Sequence, residues 1–274
     1  MKRVGGKNLK VVSLRRYPVK SMMGEEINAC DITEKGVFGD RSYGVIDQET
    51  GKLANAKNPN KWPNMFQYHA KYVEPVNIED SIPPVQITLP TGEAIRSDEE
   101  NVDEILSESF GRRVKLHTPT HQNIHFEGYV PKEMEDLPDR GSVFTRQSPN
   151  ETFFDIAMIH LITTNTIDAL RRLTPSSRIE ARRFRPNMII EVPDMEGFVE
   201  QNWIGKILHI GNEVKLKIIQ PTKRCVMTTL AQGDLPNDIN ILKTIVKEND
   251  GNFGVYAEII QSGKVHIGDE IYIE

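Results

Sequence analysis

The run Lys206-Ile207-Leu208-His209-Ile210-Gly211-Asn212-Glu213-Val214-Lys215-Leu216-Lys217-Ile218-Ile219 alternates apolar and polar residues on both sides of Gly211-Asn212. Alternation of this kind is the period of a half-buried strand, and the Gly-Asn pair accepts the positive φ of a tight turn, so the run predicts a β-hairpin. Working outward, Gly254 to Ile260 and Val265 to Tyr272 read as further strands, the last entered through Gly268-Asp269. Near the start, Lys10 to Arg16 and Val37 to Asp47 read the same way, the second followed by a Glu49-Thr50-Gly51-Lys52 turn. Pro75 to Pro90 is rich in Pro, Val and Ile, which favours edge strands and turns over helix. Short strands joined by turns, with a few short helices between them, imply a mainly β (α+β) chain built from two β-barrel-like domains.

Three helices interrupt this pattern. Ser97 with Glu100 three residues on reads as a capping box. Val102, Ile105, Leu106 and Phe110 follow at helical spacing, and Gly111 closes the end. Asn165 to Leu173 reads as a short helix stopped by Thr174-Pro175, and Ile239 to Lys247 repeats Ile, Leu and Val at helical spacing. Arg113 to His117 alternates as a strand. Thr118 to Asn150 has little periodicity and holds Pro119, Pro131, Pro138, Gly141 and Pro149, so it is the linker candidate. The domain boundary is therefore expected near residue 120, giving segments 7–120 and 121–274.

The chain has 274 residues, with 34 Lys and Arg against 39 Asp and Glu, a formal net charge of -5. No global field favours nucleic acid or an anionic membrane, and any anion site must be local. The two cysteines, Cys30 and Cys225, have neither CxxC nor His-rich spacing, which excludes a zinc ribbon or an iron–sulfur cluster. They leave a Cys30–Cys225 disulfide open, while nine methionines suit a reducing compartment. The basic start MKRVGGKNLKVV lacks the apolar stretch of a signal peptide, and no run approaches a membrane span. A cytoplasmic protein is expected.

The chemistry concentrates at Pro221-Thr222-Lys223-Arg224-Cys225-Val226-Met227-Thr228-Thr229, where a thiol follows two cations and opens a stretch that reads as a strand. Adjacent cations stabilise a thiolate, the form that attacks or binds metal. Three other segments belong with it: Tyr17-Pro18-Val19-Lys20-Ser21, Gly36-Val37-Phe38-Gly39-Asp40-Arg41 and Arg183-Phe184-Arg185-Pro186-Asn187. In this order the four resemble the MOSC family, molybdenum-cofactor-binding domains preceded by their own N-terminal β-barrel domain. Ile159-His160-Leu161 and Phe253-Gly254-Val255-Tyr256-Ala257 support the resemblance, which spans about Val11 to Ile273.

The resemblance implies an anionic pterin with a terminal phosphate and a molybdenum-holding dithiolene. By it, Lys20, Ser21 and Arg41 take the phosphate side, Arg185 and Asn187 lie along the pterin, and Thr222, Lys223 and Arg224 line the loop around the cofactor. Cys225 supplies the soft ligand that molybdenum needs. Cys30, without a neighbouring cation, reads as a core residue. Asp155 falls where the family carries an acid. In an apolar setting its pKa would be raised to suit proton delivery, and the alternative is a capping or turn aspartate. His160 reads as a satisfied core histidine. Asn55-Ala56-Lys57-Asn58-Pro59 departs from the family's usual run near the substrate mouth.

The implied activity is reduction of N-hydroxylated compounds, amidoximes or hydroxylamines, as by the amidoxime-reducing members. With no cluster-binding cysteines and no GxGxxG, electrons must come from a separate donor of ferredoxin, cytochrome or flavin-reductase type. The alternatives are a molybdenum-cofactor or sulfur carrier without reductase activity, and a scaffold without cofactor.

Overall fold

The computed structural model describes residues 8–120, 124–135 and 139–274; the basic residues 1–7 and Pro138 lie outside them. The first part of the chain forms β1 (Leu9–Arg16), β2 (Glu25–Ile27), β3 (Ala29–Thr33), β4 (Gly36–Val37), β5 (Gly44–Asp47), β6 (His69–Tyr72), β7 (Val85–Thr88) and β8 (Ala94–Arg96). Helix α1 (Val102–Phe110), β9 (Val114–His117), β10 (His125–Tyr129) and β11 (Val143–Gln147) follow. Next come β12 (Ile159–Thr163), α2 (Thr164–Leu173), β13 (Met188–Glu191), β14 (Ile207–Ile210) and β15 (Val214–Lys223). The chain closes with α3 (Ile239–Asn249), β16 (Asn252–Gln261), β17 (Gly263–His266) and β18 (Glu270–Ile273).

The expected hairpin is β14–β15, pairing Leu208 with Leu216 and Ile210 with Val214 across a loop in which Gly211 has φ +57°. Leu208, Ile210, Val214, Leu216 and Ile218 are buried, and Lys217 is turned outward. This hairpin is part of a closed seven-stranded barrel in the order β13, β12, β16, β15, β14, β18, β1. The first strand closes it, pairing antiparallel with both β13 and β18. Closure removes the sheet edges, and the inward-facing side chains of all seven strands fill the interior, among them Val11, Leu14, Leu161, Ile190, Leu216 and Ile271. β12 and β13 are parallel, and α2 lies on the crossover between them, its N-cap Thr163 accepting from Thr166 N.

A second core lies beside the barrel, built from Val19, Met22, Trp62, Phe66, Tyr68, Ile87 and Leu106 around the sheet β6–β7–β8 and helix α1. Outside the seven barrel strands, β17 pairs with β3, and their buried Cys30, Ile32 and Val265 join the barrel core.

Four local expectations change. The run from Val37 to Asp47 is broken by left-handed residues Gly39 (φ +82°) and Arg41 (φ +52°), so only its ends are strands. Helix α1 starts after Asn101, not at Ser97. The Ser97 hydroxyl is engaged instead by Val85 N at 3.0 Å, on the neighbouring strand. The linker candidate holds the hairpin β10–β11, which packs fully buried Phe126 against Leu53 and Phe153. The segment after Cys225 is a helical turn over Val226–Thr229, not a strand, with the Thr228 and Thr229 hydroxyls bonded back to Cys225 O and Val226 O. Threonines that bond their own backbone in this way compete with sheet pairing.

Candidate functional site

The four segments singled out in the sequence meet in one cleft of about 620 Å³. Lys20 and Ser21 arrive just after β1, and Arg41 sits on the turn between β4 and β5. Arg185 and Asn187 stand between the helical turn Ala181–Phe184 and β13, while Lys223, Arg224 and Cys225 lie where β15 ends. Asp155 enters on the loop before β12. Pro221 is accommodated inside β15 because the pairing with β16 is irregular there, and a bulge is where a strand tolerates proline. Thr222 is fully buried just behind the lining.

The backbone that presents these groups is held in an unusual conformation. Ser21 (φ +64°), Arg41 (φ +52°) and Arg185 (φ +55°) are all left-handed, a region that costs a non-glycine residue about 1 kcal/mol or more. Such conformations persist where surrounding contacts over-determine them. Here a buried aspartate does so. Asp40 accepts from Tyr17 N at 2.7 Å, from Asn187 Nδ2 at 2.8 Å and from the neighbouring Arg41 guanidinium, binding two distant segments to its own. Arg185 donates to Met22 O at 2.7 Å and stacks its guanidinium 4.1 Å from the Tyr17 ring. Arg224 donates to Phe184 O at 2.8 Å. Lys223 reaches out to Asp250 O, so its ammonium is spent at the rim.

Several buried donors remain without a protein partner among the described residues: Ser21 Oγ, Arg185 Nη2, Thr222 Oγ1 and Arg224 Nε. Unpaired buried polar atoms are costly, and four of them around one cationic cleft fit a multiply charged, oxygen-rich anion. Among the described residues no cluster of three or more His, Cys, Asp or Glu is able to hold an ion. A metal at half-buried Cys225 would therefore have one protein thiolate and take its other ligands from a chelate. No disulfide competes, since Cys30 and Cys225 are both free. Cys30 is buried in the barrel core, where burial, aided by Asp31, pushes its thiol up to about 12.

The acid does not behave as the sequence suggests. Asp155 is bracketed by Lys20 Nζ at 2.5 Å and Lys57 Nζ at 2.9 Å. Burial opposes its ionisation, but the two ammonium groups outweigh burial and hold the carboxyl far below the usual range. With its pKa lowered in this way, Asp155 favours the carboxylate rather than the proton-donating acid that the sequence suggests. Burial pulls Lys20 down to about 8 despite Asp155, and pulls Arg185 down to about 10. His160 is buried as expected. Burial and the Arg224 guanidinium hold its imidazole well below the ordinary value, and its Nδ1 lies 3.4 Å from Arg185 O. It also lines the cleft. The ring is held by a close approach: a Cβ on Gly254, at φ +86°, would come within 2.5 Å of His160 Nε2.

Lys57, Phe154, Met227 and Tyr256 line the cleft without having been named from the sequence as site residues. Tyr256 lay in a quoted segment. Lys57 sat in a run read only as a departure, and its long-range partner Asp155 left no local signal.

Residues 8–108 match the family of the MOSC N-terminal beta barrel domain, and residues 150–272 match the MOSC domain. Among solved structures, the YUAD protein from Bacillus subtilis is 12% identical, covering 97% of this chain and 96% of its own, with a TM-score of 0.48. YiiM from Geobacillus stearothermophilus is 18% identical over 59% of this chain and 67% of its own, with a TM-score of 0.33. YiiM from Escherichia coli is 17% identical over 43% and 54%, also at 0.33. No curated protein matches the chain.

Proposed function

The chain belongs to the MOSC family, and from that premise we propose that its cleft binds a molybdenum cofactor and reduces N-hydroxylated compounds with electrons from a separate donor protein. The observation that carries this reading is the pairing of one half-buried thiol, Cys225, with a cleft of cations and unpartnered buried donors. When bound, the cofactor would supply two-electron redox chemistry at its metal.

The residues present fit such a group. Arg41 and Ser21 would hold its phosphate end, because a charge-assisted bond to phosphate is roughly twice as strong as a neutral one. Arg185, with Nη2 unpartnered, and Asn187 would lie along the pterin. Thr222 and Arg224, whose Oγ1 and Nε are also unpartnered, would close the loop beside Cys225. Lys20 is committed to Asp155 in this structure and would have to share its ammonium with the phosphate. Lys223 is turned to the rim by Asp250 O and would act at most at the edge. Asp155 would orient Lys20 and Lys57.

The test is reduction of benzamidoxime by the metal-loaded protein with chemically reduced viologen. Turnover supports the reductase reading. A metal-loaded, reduced protein inert toward every N-hydroxylated compound tried would leave the carrier reading instead. No helix among the described residues is long and apolar enough to cross a membrane.

A further inference from the structure

We propose that Lys57 is the substrate-facing cation of the cleft, holding the leaving oxygen of an N–O substrate, and that the hairpin β10–β11 positions it. This rests on the reductase reading and gives it a residue at the reacting end.

Lys57 lines the cleft together with Cys225, Asp155 and Tyr256. A substrate that reaches Cys225 enters a cleft that Lys57 lines. Of the two lysines on Asp155, Lys20 keeps 4% of its side chain exposed and Lys57 keeps 14%, so Lys57 is the one with access to the opening. Asp155 Oδ2 is its one ion-pair partner among the described residues. An ammonium has three donors, so two remain.

Lys57 is also built into place. Its N–H donates to Asn55 Oδ1 at 2.9 Å, and its carbonyl accepts from Tyr129 N at 2.7 Å, at the end of β10. Leu53 N donates to His125 O at 2.8 Å, fastening the same loop to the same strand. The Phe126 ring lies 5.1 Å from Lys57 Nζ and 5.6 Å from Lys20 Nζ, an aromatic face under both charges. This hairpin falls between the two family matches, which end at 108 and resume at 150.

The chemistry needs such a cation. In reduction of a hydroxylamine, R–NH–OH + 2e⁻ + 2H⁺ → R–NH2 + H2O, the N–O bond breaks and oxygen leaves with the bonding pair. One proton goes to oxygen and one to nitrogen, and the two electrons come from the external donor protein. Negative charge grows on oxygen as the bond lengthens, and a fixed ammonium stabilises it without being consumed. Asp155, a carboxylate, cannot play this part. Burial opposes the charge on Lys57, but Asp155, then Cys225 and Tyr256, outweigh burial and raise its pKa, so the ammonium persists.

The experiment compares holoprotein of wild type, Lys57→Gln, Lys57→Arg and Phe126→Leu in three readouts. These are molybdenum content, kcat and KM for benzamidoxime with reduced viologen, and the rate of Lys57 acetylation by acetic anhydride with and without benzamidoxime. Expected are unchanged molybdenum in all four, at least a tenfold lower kcat in Lys57→Gln with partial rescue in Lys57→Arg, and a raised KM in Phe126→Leu. Benzamidoxime should slow acetylation of Lys57 severalfold while sparing Lys264. Wild-type kinetics in Lys57→Gln would overturn the proposal, and so would loss of molybdenum in it, which would assign Lys57 to the cofactor. If wild type itself does not turn over, the reductase reading falls and acetylation alone decides: protection retains Lys57 as a ligand contact, and its absence removes it.

Discussion

Cys225 and Cys30 are separated by their surroundings well enough for alkylation to tell them apart. Cys225 is half-buried at the cleft, whereas Cys30 is 5% exposed in the barrel core with its thiol pushed up to about 12. Iodoacetamide at pH 8 is expected to modify Cys225 and leave Cys30 untouched in the folded protein, read by peptide mass spectrometry; the reverse pattern would refute the assignment. Arg41→Ala should weaken cofactor retention by about 1.5–3 kcal/mol, roughly ten- to a hundredfold, measured as pterin released on gel filtration. Retention equal to wild type would mean that Arg41 does not touch the anion. At this scale the meeting of Lys20, Arg41, Arg185 and Cys225 in one cleft was legible through the resemblance of their four segments to the MOSC family. Asp155 shows the limit. Its neighbours in sequence are Phe154 and Ile156, but its charge state is set by Lys20 and Lys57, which only folding brings near.

Thr163 joins two elements, capping α2 through Thr166 N and donating its hydroxyl to Glu200 Oε2 at 2.8 Å. Thr166 Oγ1 donates to the same oxygen at 2.5 Å, while Glu200 Oε1 makes no hydrogen bond among the described residues. Burial raises the Glu200 pKa above the ordinary 4.5. A carboxyl with a raised folded pKa binds its proton more tightly when folded, so stability falls as pH rises from 4.5 toward the folded value. Glu200→Gln is therefore expected to be more stable than wild type at neutral pH and to lose this advantage below about pH 4.5, followed by urea unfolding. A difference that is constant with pH would contradict this. Thr163→Ala should cost about 1–2 kcal/mol through the lost cap. The hairpin β14–β15 and the end of α1 at Gly111 were readable because their signals are local: alternation, and a left-handed glycine at φ +62°. The turn after Cys225 was not. Its apolar, threonine-rich composition suits a strand, and only the threonine bonds to Cys225 O and Val226 O show otherwise.

For the whole molecule, barrel closure was the least legible feature, since β1 pairs with β13 across some 170 residues and no local pattern records the partner. The same closure explains the site. It draws the first residues after β1, with Lys20 and Ser21, against the segment before β13, with Arg185 and Asn187, and makes a cationic cleft in a chain of net charge -5. With no nicotinamide or flavin fingerprint and no cluster-binding cysteine set in its sequence, the purified protein is expected to show no turnover with NADPH alone; robust turnover would reveal an internal electron-transfer site. The binding of a molybdenum cofactor through this cleft is tested most directly by molybdenum analysis of wild type, Arg41→Ala and Cys225→Ala protein purified from a molybdate-sufficient host. Stoichiometric molybdenum in wild type is expected, with a reduced content in Arg41→Ala and a folded, inactive Cys225→Ala. Well-folded wild-type protein that carries neither molybdenum nor pterin would contradict it.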